Sequence, residues 1–140
     1  MAGCGGGQEP SPEPALATLS RPVVYMGHDY LFVRSPRSWD QAGALCDSLG
    51  YGLVTINDDA EEKFLQSFEG TSAWWIGYND IQTEGTFLWR NGTSSYTRWG
   101  SGEPDNYLNE DCVEENYSNT HLWNDAPCST PFYFICESLD

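Results

Sequence analysis

Two segments of the chain carry apolar residues at helical spacing. In the first, Ser38 opens the helix, Gln41 completes a capping box three residues later, and Gly50 is the stop signal. The predicted buried face of this helix comprises Trp39, Ala42, Leu45, Cys46 and Leu49. The spacing therefore directs Cys46 toward the core.

The second helix begins after a cap at Asn57 or Asp58 and extends to about Phe68. Its predicted buried stripe comprises Ala60, Phe64, Leu65 and Phe68. Glu61 and Glu62 fall in the first turn, where the helix dipole favours negative charge. We interpret these two carboxylates as structural.

Shorter apolar runs predict strands. Residues 23–33 alternate about a turn at residues 27–29, so a hairpin is predicted with His28 as a turn residue. Asn91-Gly92 has the composition of another hairpin-type turn. Further strands are predicted at residues 53–56, 73–78, 87–89, 111–115 and 132–136. Two helices followed by many short strands and one long loop predict an α+β domain over residues 23–138.

The first 22 residues differ in composition from the rest and predict a disordered tether, rich in Gly, Pro, Ser and Glu. Ala2-Gly3-Cys4 resembles the end of a bacterial lipoprotein signal, in which the cysteine carries the lipid anchor. The alternative is a chance cysteine in a disordered leader. No apolar core of a signal peptide precedes Cys4, and no apolar run approaches the roughly 18 residues of a membrane span. No membrane insertion of the domain is therefore expected.

The net charge excludes some classes of binding partner, and the cysteine content indicates the cellular compartment. The chain has 21 acidic and 6 basic residues, for a net charge of −15. This balance argues against nucleic acid and anionic membranes as partners, because both are bound through Lys and Arg. Five cysteines in a small acidic chain indicate an oxidising compartment, extracellular or at a cell surface. With Cys4 set aside, the other four permit three pairings.

Oxygen-bearing side chains concentrate in residues 99–128, and no Lys or Arg follows Arg98. Oxygen ligands without cationic partners are what a hard cation such as Ca²⁺ requires. The set comprises Glu103, Asp105, Glu110, Asp111, Asn124 and Asp125. Cys112 and Cys128 lie in the same region and could fix its shape. A calcium site on this loop is therefore predicted.

Several motifs in the chain together resemble one known family, the C-type lectin-like domain. Trp75-Ile76-Gly77-Tyr78 is similar to its WIGL signature, and Trp123-Asn124-Asp125 is similar to its WND motif. Glu103-Pro104-Asp105 stands where the family has its sugar-specificity tripeptide. The resemblance covers residues 23–138 and implies the short form of the domain, with disulfides Cys46–Cys136 and Cys112–Cys128.

The resemblance also implies a calcium cofactor and a carbohydrate partner. The implied principal ligands are Glu103, Asp105, Glu110, Asn124 and Asp125, with Pro104 in a cis peptide. An auxiliary calcium site is implied at Asp80, Glu84, Asn106 and Asp111, although solvated loop polarity would also account for those four. Two vicinal sugar hydroxyls would complete the principal shell and hydrogen-bond to Glu103, Asp105, Glu110 and Asn124.

The identity of the sugar depends on the tripeptide. In the family Glu-Pro-Asn usually accompanies mannose-type sugars and Gln-Pro-Asp galactose-type sugars, whereas this chain has Glu-Pro-Asp. Its carboxylates only accept hydrogen bonds, which leaves Asn124 as the amide donor of the shell. Tyr107 could stack on a galactose ring, so we favour galactose-type neutral sugars, with mannose-type sugars as the alternative. The short loop 106–109 lacks the glycine-rich extension of many galactose binders.

Two other functional classes are alternatives to a lectin. An enzyme is not expected, because the carboxylates are spaced as metal ligands, no apolar environment that would raise a carboxyl pKa is evident, and neither histidine has a nucleophile partner in a motif. The stronger rival is a calcium-stabilised domain of the same fold that binds a protein or another non-sugar ligand.

Overall fold

The computed structural model describes residues 21–105 and 110–139. Two helices and eight strands make up the described fold, together with a short 3₁₀ helix at Tyr117–Asn119. The helices are α1 (Trp39–Ser48) and α2 (Asp59–Glu69). The strands are β1 (Val23–Tyr25), β2 (His28–Arg37), β3 (Tyr51–Leu53), β4 (Trp74–Thr83), β5 (Thr86–Trp89), β6 (Cys112–Glu115), β7 (Asn124–Ala126) and β8 (Phe132–Ser138).

The strands form one sheet in the order β1-β2-β8-β4-β6-β7, with β3 beside β8 and β5 beside β4. Every pairing is antiparallel except that of β4 with β8, which is parallel. The last strand therefore lies at the centre of the sheet between β2 and β4. This mixed sheet with two helices confirms the predicted α+β fold.

Two disulfides connect distant parts of the chain. Cys46 of α1 is bonded to Cys136 of β8, 90 residues away in sequence. Cys112 at the start of β6 is bonded to Cys128, 16 residues away. These are the two pairs that the family resemblance implied. The first anchors α1 to the sheet, and the second closes the segment that contains β7.

Aromatic side chains fill the core on the side of the sheet nearest residues 99–105, which together with Glu110 and Asp111 are called the acidic loop below. Trp74 and Trp123 are fully buried there, and the Trp123 ring contacts those of Tyr78, Trp89, Tyr96 and Trp99. On the other side, Trp39 donates its indole N–H to the Ile76 carbonyl at 2.8 Å. Large rings with satisfied N–H groups allow a small domain to bury enough apolar area.

Helix α1 follows the sequence prediction closely. Ser38 accepts from the Gln41 N–H at 3.3 Å, and the Gln41 side chain accepts from the Ser38 N–H at 3.2 Å, which completes the capping box. Gly50 follows the helix with φ of 82°. Leu49, however, is exposed at the C-cap and does not belong to the buried face as predicted.

Helix α2 has the predicted position and cap, but of the predicted buried stripe only Leu65 is fully buried. Asp58 is the N-cap, while Ala60 and Phe68 are exposed and Phe64 is only half-buried. The buried face instead comprises Glu61, Glu62, Leu65 and Glu69. Glu62 is buried because it accepts from the Trp123 indole N–H at 3.1 Å and from Gln66 at 2.9 Å. Apolar periodicity alone does not reveal carboxylates that are buried with donors.

Two turn predictions also need correction. His28 is the first residue of β2 and its Nδ1 lies 2.7 Å from Glu137, so it links the hairpin to the last strand. Asn91-Gly92 lies in a bend that leads into irregular chain, and the β4–β5 hairpin turns instead at Glu84-Gly85. The strand predicted at residues 53–56 is also displaced, because β3 spans Tyr51–Leu53, although residues 54–56 are buried.

The buried Glu69 carboxyl sets a pH dependence of stability. Burial, and then the charge of Glu62, raise the pKa of Glu69 to about 9, above the ordinary value of the unfolded chain. A folded-state pKa that is raised stabilises the fold below the unfolded pKa, and this contribution is lost as pH rises through the folded pKa. In EDTA, we expect Glu69→Gln to reduce the loss of unfolding free energy between pH 5 and pH 8 by at least about 1 kcal/mol. Urea denaturation at both pH values measures this.

The control for Glu69→Gln is Asp40→Asn, which neutralises an exposed carboxylate of α1. This control should leave the difference between the two pH values unchanged. Equal pH dependence in wild type and Glu69→Gln would show that Glu69 is not buried as described.

Candidate metal and ligand site

The acidic loop is held against β7 by backbone hydrogen bonds. Trp99 forms an isolated parallel bridge with Trp123. The Gly100 N–H donates to the Trp123 carbonyl at 2.9 Å, and the Trp123 N–H donates to the Arg98 carbonyl at 2.9 Å. Glu103 N–H in turn donates to the Gly100 carbonyl at 3.0 Å. These contacts place the loop carboxylates beside the two residues that follow Trp123.

Three of the predicted principal ligands come together at this point. Glu103, Asp105 and Asp125 each offer a carboxylate oxygen, and these oxygens all lie within 4.8 Å of one another. The Asp105 N–H donates to Asp125 Oδ1 at 3.1 Å, which joins the loop to β7. The peptide between Glu103 and Pro104 is cis, as the resemblance implied.

Glu110 belongs to the same group electrostatically. Partial burial raises its pKa to about 8, with a hydrogen bond to Asp105 and the charge of Asp125 as further causes. Partial burial and a hydrogen bond to Asp125 likewise raise the pKa of Glu103 to about 7. The expectation that no apolar environment would raise a carboxyl pKa here is therefore wrong, since desolvation is the largest cause of both increases and the neighbouring carboxyls add to it.

These residues fit a hard divalent cation. The Oε1 atom of Glu103 is buried and accepts no hydrogen bond within the described ranges. Partial burial and the neighbouring carboxylates raise the pKa values of Glu103 and Glu110, so these two groups hold protons more tightly than usual, and a dication would relieve the same repulsion. Carboxylate oxygens are preferred ligands of calcium. Because calcium must displace those protons, its affinity here should fall in acid.

Asn124 precedes Asp125 on β7, and its side-chain amide already makes a hydrogen bond within the domain. Its Nδ2 donates to Glu114 Oε1 at 3.1 Å, and both side chains are buried. Burial raises the pKa of Glu114 to about 7, while the bond from Asn124 opposes that rise. From the sequence, the Asn124 amide was predicted to donate to a ligand. In the structure, one of its two N–H groups already donates to Glu114.

A second acidic group lies next to the first. Asp80, Glu84 and Asp111 offer carboxylate oxygens within 4.8 Å of one another. The Asp80 N–H donates to the Asp111 carbonyl at 2.9 Å, and Asp80 Oδ2 accepts from the Gly85 N–H at 2.8 Å. Burial, and then a hydrogen bond to Asp80, raise the pKa of Asp111. Asp80 Oδ1 and Asp111 Oδ1 are buried and accept no hydrogen bond in the described chain, so this group also suits a cation.

Two residues predicted for these sites lie outside the described residues. Asn106 was implied for the auxiliary calcium site, and Tyr107 was expected to stack on a sugar ring.

The Lectin C-type domain family model matches residues 35–138, which is more than half of the chain. The chain belongs to the C-type lectin family. It is 37% identical over 121 residues to C-type lectin domain family 4 member M of Nomascus concolor, an alignment that covers 82% of this chain and 30% of that protein. The chain spans less than two thirds of the length of several mammalian C-type lectins that it matches.

Two solved structures extend this comparison of C-type lectin folds. The cow C-type carbohydrate-recognition domain of CD23, solved in the presence of GlcNAc2Man3 oligosaccharide, is 30% identical with a TM-score of 0.77, over 91% of this chain and 97% of that one. A Ca²⁺-dependent type II antifreeze protein in its Ca²⁺-free form is 26% identical with a TM-score of 0.78, over 89% and 100% of the two chains. The fold is therefore compatible with more than one kind of ligand.

The comparisons bear on two further expectations for this C-type lectin. The relatives from gibbon and mouse are animal proteins, so they give no support to the bacterial lipoprotein expected from Cys4. Among the residues that the structure describes, no helix is long and apolar enough to cross a membrane.

Sequence reasoning missed two residues that organise the site of this C-type lectin. Glu114 pairs with Asn124 across β6 and β7. Glu62 binds the indole of Trp123 from α2. The available signal for Glu114 was a carboxylate two residues after Cys112, on the strand that was predicted at residues 111–115.

Proposed function

We propose that this domain is a calcium-dependent lectin that binds neutral sugars through vicinal hydroxyls. The observation that carries this proposal is the convergence of Glu103, Asp105 and Asp125 within 4.8 Å, with Glu110 hydrogen-bonded to Asp105. Membership of the C-type lectin family supports carbohydrate as the ligand class.

Each residue of the site has a defined part. Glu103, Asp105, Glu110, Asn124 and Asp125 would hold the ion, with Asp125 fixed by the Asp105 N–H. Glu103, Asp105 and Glu110 would also accept hydrogen bonds from sugar hydroxyls, because an ionised carboxylate only accepts. When bound, Ca²⁺ supplies a hard Lewis-acid centre for two hydroxyl oxygens of the sugar.

Charge and exposure set the limits of recognition. Four carboxylates around one dication leave residual negative charge, which disfavours sialylated and other anionic glycans. Asp105 is exposed and Glu103 only half-buried, so few sugar atoms can be contacted. Single-site affinity should then be weak, and useful avidity requires several copies or a multivalent glycan.

A glycan array probed with and without EDTA tests the proposal. We expect binding to neutral glycans in millimolar calcium and complete loss in EDTA, with recovery when calcium is restored. Calcium-independent signals would contradict the mechanism. Measurable calcium binding without sugar binding would favour the alternative, a calcium-stabilised domain that binds a non-sugar ligand. The structural similarity to the antifreeze protein is the reason to retain this alternative.

Among neutral sugars we favour galactose-type ligands, with mannose-type ligands as the alternative. Asp105→Asn restores the Glu-Pro-Asn tripeptide and adds one amide donor beside the ion. We expect this change to shift array signals toward mannose-type glycans, because a donor can then meet a hydroxyl oxygen. The control is Asp47→Asn, which alters a carboxylate bonded to Arg90 far from the loop. An unchanged preference in Asp105→Asn would refute this interpretation of the tripeptide.

We further propose that Asp80, Glu84, Asn106 and Asp111 form an auxiliary calcium site that stabilises the loop. The support is the second acidic group and its two unpartnered buried oxygens. The two disulfides suit an extracellular or cell-surface location, where such bonds persist. A catalytic role finds no support in the family membership.

A further inference from the structure

Glu114 is a buried carboxylate that contacts the proposed site through Asn124. It lies on β6 directly opposite Asn124 of β7 in the antiparallel ladder. Glu114 is 5% exposed and Asn124 is 8% exposed. Opposed residues on one face of such a ladder hold their side chains in contact, so the pair is set by strand register and not by a flexible loop.

The chemistry of the pair determines how the amide is turned. A carboxylate is an acceptor only, so the Asn124 nitrogen, and not its oxygen, must face Glu114. The observed bond, from Nδ2 to Oε1 at 3.1 Å, has this arrangement. The Asn124 oxygen is therefore turned away from Glu114, and it is the amide atom that could coordinate a cation.

We propose that Glu114 is a positioning residue, which orients Asn124 as a calcium ligand and reserves one of its two amide N–H groups. This inference rests on the proposed function and adds a determinant of ligand chemistry to it. Only one N–H of Asn124 remains to donate to a sugar oxygen. The carboxylates of Glu103, Asp105 and Glu110 can only accept hydrogen bonds. The site should therefore select a ligand whose hydroxyls mainly donate hydrogen bonds.

Calcium titration calorimetry at pH 8 on three variants tests the role of Glu114. Glu114→Leu retains side-chain volume without an acceptor, and Glu114→Asp retains the charge but is one methylene too short. We expect both to weaken calcium binding roughly tenfold to a hundredfold, as is usual when a group that orients a metal ligand is removed. Glu114→Gln retains an acceptor oxygen and should restore affinity to within roughly threefold of wild type.

The matched control is Glu115→Leu, which removes the adjacent carboxylate of the same strand. Glu115 is also buried, and neither of its side-chain oxygens has a hydrogen-bond partner within the described residues. This control should bind calcium like wild type. Thermal unfolding in EDTA establishes that each variant is folded. If Glu114→Leu is unfolded, Glu114→Asp against Glu114→Gln still decides the question.

The outcomes separate this inference from the proposed function. Wild type that binds calcium, together with Glu114→Asp of equal affinity, overturns the positioning role and leaves the lectin proposal intact. Equal losses in Glu114→Asp and Glu114→Gln would also overturn it, because rescue by an acceptor is what distinguishes orientation from packing. Wild type that binds no calcium would overturn both.

Discussion

Replacing Asp125 by alanine should abolish calcium binding and, with it, retention on immobilised sugar. Asp125 is fully buried, shares the principal acidic group, and accepts from the Asp105 N–H at 3.1 Å. Its removal deletes an ion ligand and also the hydrogen bond that joins Asp105 to β7. We expect calcium affinity to fall by at least about a hundredfold, the upper range for loss of a group that holds a metal site together. Calorimetry with calcium and affinity chromatography on sugar resin measure the two effects.

The control for Asp125→Ala is Asp47→Ala. It removes a half-exposed carboxylate of α1 that is paired with Arg90. Both the calcium affinity and the sugar retention of this control should match wild type. Asp125→Ala protein that is folded and still retained on sugar in a calcium-dependent manner would place the ligand site elsewhere.

The second large effect is expected from the two disulfides, which should act on different properties. Replacing Cys46 and Cys136 by alanine opens a loop of 90 residues, and the chain-entropy relation gives a loss of about 4.5 kcal/mol in unfolding free energy. Replacing Cys112 and Cys128 opens a loop of 16 residues, for about 3 kcal/mol. Urea denaturation in EDTA measures both losses.

The variant that loses less unfolding free energy should lose more calcium affinity. Cys112 and Cys128 enclose β7, which carries Asn124 and Asp125, and Cys112 follows Asp111. The protein that lacks this bond should therefore lose more calcium affinity than the protein that lacks Cys46–Cys136, although it is more stable. Equal calcium affinities in the two variants would show that the short loop does not organise the ligands.

The pKa values of the loop carboxyls connect stability with ligand binding. Without a cation, the pKa values of Glu103 (about 7) and Glu110 (about 8) lie above the ordinary value of the unfolded chain, so these groups stabilise the folded loop below that ordinary value and lose this contribution as pH rises through the folded values. With calcium, the ionised forms are the ones that bind. Glu103 and Glu110 therefore stabilise the metal-free domain most in acidic solution, while the affinity for calcium increases with pH.

Local patterns in the sequence predicted much of the fold. Helix α1 follows from the spacing of its apolar residues and from the Ser38–Gln41 box, because a cap is made by residues three apart. The position of α2 follows from its Asp58 cap in the same way. The failures occurred where burial depends on a distant partner. Glu62 is buried because Trp123 donates to it, and no local spacing reports a contact 61 residues away.

The same distinction applies to the site. The residue types of the acidic loop, the absence of Lys and Arg after Arg98, and the family motifs were enough to predict a calcium site and its carboxylates. These are properties of composition and order along the chain. Strand β7 was missed, since Asn124–Ala126 is too short for a period and is defined by its pairing with β6.

The sequence by itself determined the family, the fold class and the oxygen-rich ligand set of this domain. Only the tertiary structure decided which carboxylates lie close together, how desolvation and then their mutual repulsion raise the pKa values of Glu103 and Glu110, and that the Asn124 amide faces Glu114. The physical reason is that ligand identity is a property of single residues. Orientation and protonation depend instead on desolvation and on hydrogen bonds between strands that are far apart in sequence.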